Sequence, residues 1–312
     1  MLKILTSNLK STLSISLASL VMLAGCGSDS TSEIDKSTPF SLSFSAKSAG
    51  ELITCDSEHN QFGTEALHSI SVSDIRFYVS NIKFLNANNE VLDIELAEND
   101  FQLHSDQGFV GLIDLTSNSS GACNDEALGG TQRINTAISG TILDGDVASI
   151  SFDVGVPQAV MKDVIATNTQ EDAPTPLNEM FWSWASGYRH FLMNFQIENA
   201  AEISGKGLVH LGSTKCGGEG LLALENKETC DSVNTPKVTI NNFDPTENTI
   251  VINVDALLNN VTFAATGDEV VPTVACHSNP MQTDCATIFE NFGLNITDGN
   301  ADADANLVFN KE

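Results

Sequence analysis

The sequence is short of positive charge, of tryptophan and tyrosine, and of long apolar runs. Fourteen lysines and arginines stand against 41 aspartates and glutamates, a formal net charge of −27. The field around such a chain repels phosphate backbones and attracts cations, which argues against nucleic acid as a partner. No GxSxG elbow, HExxH or HxH pair, or CxxC pair occurs. Ser213, in Gly212-Ser213-Thr214-Lys215, lacks the strand, elbow and helix that expose a nucleophile. The chain is not expected to be an enzyme. Asp298, Asp302, Asp304 and Asn306 imitate a calcium loop without a glycine at its sixth position, and read as a solvated acidic turn. Met161, Met180, Met193 and Met281 are scattered along the chain, which does not support a methionine-rich copper(I) cluster.

What is present is a β pattern. Hydrophobic residues make up 41% of the 312, with 22 glycines and 8 prolines, an ordinary globular composition that rules out disorder for most of the chain. Alternating stretches recur at Phe40 to Phe44, Ile75 to Leu85, Val91 to Leu96, Val110 to Leu115, Ala148 to Val154, Tyr188 to Ile197, Gly207 to Leu211, Pro236 to Ile240 and Thr249 to Val254. Period two with β-branched and aromatic enrichment predicts strands. Brief helices are expected around Pro157 to Val164, Asp255 to Asn259 and Cys285 to Phe292. The expected fold is all-β: one β-sandwich domain over residues 40–312 with short helices and long loops, stapled by disulfides.

The first 25 residues have the form of an export signal. Lys3 and Lys10 precede an apolar stretch through Leu17, Leu20, Val21, Met22 and Leu23, a basic segment followed by a hydrophobic one. Serine and threonine interrupt the run, which falls short of the roughly 20 continuous apolar residues that span a bilayer. Leu23-Ala24-Gly25-Cys26 resembles a bacterial lipoprotein cleavage box, so Cys26 is expected to become the lipidated first residue. Residues 26–39, rich in serine, threonine and aspartate, then form a flexible tether. The anchored chain is expected in the cell envelope, and the absence of aspartate after Cys26 favours the outer membrane, facing the periplasm.

With Cys26 set aside, Cys55, Cys123, Cys216, Cys230, Cys276 and Cys285 form an even set, as befits disulfides in an oxidising compartment. Many pairings are open. Glycine and asparagine near the short loops favour Cys55 with Cys123, Cys216 with Cys230, and Cys276 with Cys285. A metal site built from the last four is the alternative.

Aromatic residues concentrate in Met180 to Phe191, which holds Trp182, Trp184, Tyr188 and His190. Core packing is their ordinary use. On a strand, Trp182 and Trp184 would share one face, and a pair facing a ligand is the sharper reading. The six histidines are His59, His68, His104, His190, His210 and His277. Neutral imidazole is the usual nitrogen ligand of copper and zinc, but no spacing here makes a ligand motif.

Taken in order, these short blocks carry a resemblance. They are Ile75-Arg-Phe-Tyr-Val-Ser-Asn81, Gly111 to Leu115 with Cys123, Gly155-Val-Pro157, Pro176-Leu-Asn178, and Met180-Phe-Trp-Ser-Trp184 with Gly187-Tyr188. His210-Leu-Gly-Ser-Thr214 with Cys216, Phe243-Asp-Pro245, and the closing Cys276, Cys285, Ile288-Phe289 and Gly293-Leu294 complete the set. Over roughly residues 40 to 310 the chain resembles the MbnP-like copper-binding proteins. The resemblance implies an exported β-rich protein that binds copper and is made alongside a di-haem enzyme of the MauG and cytochrome c peroxidase kind. That partner oxidises a tryptophan to kynurenine, whose carbonyl and aniline nitrogen join histidines around the metal. Trp182 or Trp184 would be the oxidised residue, and His210, His190 and His59 the candidate ligands. Many relatives carry Asn-His after the Gly-Val-Pro block where this chain has Met161-Lys162. That departure leaves a second expectation open, a metal-free binding lipoprotein on the same scaffold.

Overall fold

Alternation along the first strand decides which way it faces. In Thr38–Ser48 the residues Phe40, Leu42, Phe44 and Ala46 turn inward and are buried, with serines and Lys47 between them, as period two requires. The computed structural model describes residues 37–167, 173–183, 187–216, 230–263 and 271–312, all within the unit Asp35–Glu312. The expected signal segment 1–25, Cys26, residues 27–36 of the tether and Trp184 lie outside the described residues.

Two sheets form the sandwich. The smaller runs in the order Phe309–Lys311, Thr249–Asn253, Thr38–Ser48, Ala137–Ile142, Ile94–Leu96, with Glu51–Leu52 added to Thr38–Ser48. The larger runs Lys237–Asn241, Ser149–Val154, His68–Leu85, Gly187–Asn199, Ser204–Gly212, Thr273–Cys276, with four further strands attached. Its long member His68–Leu85 is buried without a break from Val72 to Ser80. A strand covered on both faces shows such a run. One face of it carries Ile75, Phe77 and Val79 into the space between the sheets. There Phe77 meets Phe44 edge-on at 5.6 Å and Phe309 at 5.6 Å, and Phe152 meets the same two rings at 6.0 and 5.9 Å. Each such side chain contributes about 1.5–3 kcal/mol through burial alone.

The opposite face of the larger sheet builds a second, smaller core. Tyr78, Leu192, Val110 and Leu112 point outward from the sandwich and are covered by Val160, Met161 and Val164 of the helix Gln158–Thr167 and by Leu177 and Met180. Tyr78 donates its hydroxyl hydrogen bond to the Pro176 carbonyl at 2.9 Å, which pins that cover to the sheet. Helices at Val254–Leu257 and Thr283–Asn291 complete the elements foreseen as brief.

The six paired cysteines form three disulfides, Cys55 with Cys123, Cys216 with Cys230 and Cys276 with Cys285, across separations of 68, 14 and 9 residues. A four-cysteine metal site is thereby excluded, since oxidised sulfurs are not available as thiolate ligands.

Candidate metal centre

Strand register brings two imidazoles together. Ser204–Gly212 pairs in parallel with Thr273–Cys276, Val209 lying opposite Cys276. Both of those side chains enter the sandwich core. The next residue on each, His210 and His277, therefore emerges on the outer face. Their Nδ1 atoms are 3.0 Å apart and their rings meet at 4.8 Å and 71°.

The proton positions follow from the neighbours. Asn194 donates from Nδ2 to the Leu128 carbonyl at 3.0 Å, which can only accept. Its Oδ1 is thereby turned toward His210 Nε2, 2.7 Å away, and accepts that N–H. His210 Nδ1 is left as a lone pair, facing a proton on His277 Nδ1. A ring held through one nitrogen by an amide, with the other nitrogen bare, has the orientation that metal-binding histidines take from their outer partners.

The surroundings keep both rings neutral. His210 is pushed down to about 3 by burial first, then by Arg189, His277 and Arg76. His277, less buried, is lowered by burial and by Arg189. Protons therefore compete little for the nitrogens. Two residues along from His210, Gly212 lies under Trp182: a Cβ built on the glycine would stand 2.9 Å from the indole Cε3 and 2.7 Å from the Tyr188 carbonyl. Only glycine admits the ring at that distance. Ser278 ties the strands here, accepting from the Gly212 N–H at 2.8 Å and donating to the His210 carbonyl at 3.1 Å. Trp182, His210 and His277 thus share one face, with Asn194 behind them.

The other expected ligands lie elsewhere. His190 is fully buried, with Nε2 2.9 Å from Ser213 Oγ and Nδ1 3.4 Å from Thr235 Oγ1. The serine donates onward to the Val233 carbonyl, so it accepts the His190 Nε2–H, and both ring nitrogens are engaged. His59 sits opposite Ile70 near the start of His68–Leu85, its Nε2 2.9 Å from Ser57 Oγ. Among the described residues no three of histidine, cysteine, aspartate and glutamate come within reach of one ion. By donor chemistry the pair suits such an ion: His210 and His277 are the residues that would hold it, and the proton now between the rings would have to leave His277 Nδ1 for Nε2.

The family model MbnP matches residues 37–278. The chain belongs to the MbnP family. A solved structure, MbnP from Methylosinus trichosporium, has a TM-score of 0.66 to this one at 22% identity, over 88% of this chain and 98% of that chain; at that identity the likeness is one of fold. No curated protein matches.

Within the MbnP fold as this chain builds it, Met161 and Lys162 stand on the helix Gln158–Thr167. Met161 is fully buried in the smaller core and Lys162 is half-exposed. The Met161 thioether belongs to the same cluster as Tyr78, Tyr188 and Leu192. His277 was not distinguished by sequence reasoning from the other histidines. Its signal was positional: it follows Cys276, whose disulfide was expected, but only the parallel register places it beside His210.

Proposed function

We propose that the protein is an exported, lipid-anchored copper-binding member of its family, without catalytic activity of its own. The observation that carries this reading is the pair of Nδ1 atoms 3.0 Å apart on the same face as Trp182. His210 and His277 would hold the metal. The amide of Asn194 fixes His210 for the task, and the low proton affinity of both rings keeps them available. Copper suits imidazole donors, and the strong negative charge of the chain draws cations to it.

Two neutral nitrogens make an incomplete coordination sphere. Oxidation of Trp182 or Trp184 to kynurenine by a di-haem partner of the MauG kind would add the oxygen and aniline nitrogen that indole lacks. Trp182 is partly exposed, which suits oxidation by a docked haem protein. Acylation at Cys26 would tether the domain to the outer membrane on its periplasmic side.

The test is intact and peptide mass spectrometry on protein from its native cells, with copper assayed in the same sample. The expected result is bound copper, a gain of about 4 Da on the peptide bearing Trp182 and Trp184, and an acylated Cys26. His210→Ala and His277→Ala should each abolish stoichiometric copper. Unmodified tryptophans with no copper in the wild type would leave the metal-free binding lipoprotein as the better reading.

A further inference from the structure

The chain has three arginines, Arg76, Arg133 and Arg189, and the structure gathers all of them around one region of the outer face. Two are fully matched. Arg76 bonds both carboxylate oxygens of Asp74, at 2.7 to 3.2 Å, and lies 3.8 Å from Glu179. Arg133 bonds Glu179 at 2.5 Å and the Asp100 carbonyl at 2.8 Å, and covers the Phe101 ring. The remaining acid of the group, Asp114, accepts from Thr131 at 3.0 Å, and burial pushes it up to about 7. These carboxylates are therefore already engaged.

Arg189 is the exception. It stands opposite Gly212 in the sheet, on the face that carries Trp182 and His210, and its charge reaches both His210 and His277. Its Nε is shut off from solvent without a hydrogen-bond partner, and among the described residues its guanidinium has no ion pair. Burial and Arg76 both disfavour its charged form, and Asp74 and Tyr78 offset them only in part. Arg189 is half-buried, and a guanidinium with one N–H shut off from solvent and unpartnered, beside neutral imidazoles, gains when an anion meets it. In a chain with 41 acidic residues, the described residues nevertheless leave this half-buried guanidinium without a carboxylate.

We propose that Arg189 is the receptor of a small-carboxylate site next to the histidine pair. The planar guanidinium offers parallel N–H donors that match the two oxygens of a carboxylate, whereas a monatomic anion takes only one contact. Arg189 stands opposite Gly212 on the face that carries Trp182 and His210, so a carboxylate held there would lie on the side of the metal centre inferred above. The site itself is built by Arg189 and does not depend on copper.

The experiment uses the copper-free mature protein, with isotope-labelled acetate as the probe. Binding is followed by acetate line broadening and by tryptophan emission, at constant ionic strength set with sodium chloride. The wild type should saturate, and R189Q should weaken apparent affinity at least about tenfold, the size of one lost charge-assisted contact. R189K, which keeps the charge without the fork, should fall between them. Near-ultraviolet circular dichroism establishes that R189Q is folded, and R189K serves where it is not. A response that does not saturate, that is equal in the wild type and both variants, or that chloride reproduces at the same concentration would overturn the proposal. Because copper is absent throughout, failure here is separable from failure of the metal reading.

Discussion

Asn194→Ala tests whether the amide behind His210 prepares it for metal. Asn194 is 8% exposed and His210 9%, so the two bonds it makes, 2.7 Å to His210 Nε2 and 3.0 Å to the Leu128 carbonyl, are hardly replaceable by bulk water. Each is worth about 1 kcal/mol net, and a buried group left without its partner costs about 1–3 kcal/mol. Truncation should therefore lower stability by about 2–4 kcal/mol, read by urea unfolding. The effect on copper has a different origin: with Nε2 released, His210 can carry its proton on either nitrogen and its ring can rotate. Loss of such outer support typically weakens metal binding about 10- to 100-fold, measured by competition with a chelator of known affinity. Asn194→Asp keeps an acceptor for Nε2–H and should retain more affinity than Asn194→Ala, despite losing the donor to Leu128. Folded Asn194→Ala protein that binds copper as tightly as the wild type would refute the assignment of Nδ1 as the ligand atom.

Acid sensitivity and cross-linking give two further checks. His190 is neutral in the fold, its proton affinity pushed down to about 3 by burial, against an unfolded value of about 6.5. The unfolded chain thus binds the extra proton between these values, and stability is lost as pH falls below 6.5. Between pH 7 and 4 this one residue removes about 3 kcal/mol, so His190→Gln should show an acid loss smaller by that amount in urea unfolding at the two pH values. An unchanged acid loss would contradict a buried neutral imidazole. The disulfide from Cys55 to Cys123 closes the longest loop, with a separation of 68 residues. Replacing both cysteines with serine should cost about 4 kcal/mol, more than the roughly 3 kcal/mol for either short loop; an order reversed in thermal unfolding would count against a chain-entropy origin.

Local chemistry was readable and long-range register was not. Period-two patterning located the strands around Phe40 to Phe44, Ala148 to Val154 and Thr249 to Val254, because one face of each enters an apolar core. It missed Ala137–Ile142, where the alternation is weakened by Ser139, Gly140 and Thr141, and the first half of His68–Leu85, where serines alternate with buried Ile70 and Val72. The two short disulfides, Cys216 with Cys230 and Cys276 with Cys285, were legible because cysteines close in sequence sit by turn-forming residues. The histidine pair was only half legible. His210 stood in a distinctive block, whereas His277 gains its place from the opposition of Val209 and Cys276, a pairing between segments far apart in the chain that no local pattern encodes. His190 looked equally suitable by residue type, and its occupation by Ser213 and Thr235 arises from a loop crossing that only the fold reveals.

The link between Cys276 and Cys285 gives the histidine pair an order of assembly. His277 lies inside the small ring that this bond closes, and its own backbone N–H is held at 2.7 Å by Gln282 of the same ring. Opened, the ring leaves His277 just after a four-residue edge strand, Thr273–Cys276, held beside His210 by that strand's pairing and by the bonds of Ser278 to Gly212 and His210. On the proposed copper reading, a chain still in a reducing compartment would lack the ring's restraint on the histidine pair, and oxidation of one cysteine pair would complete it.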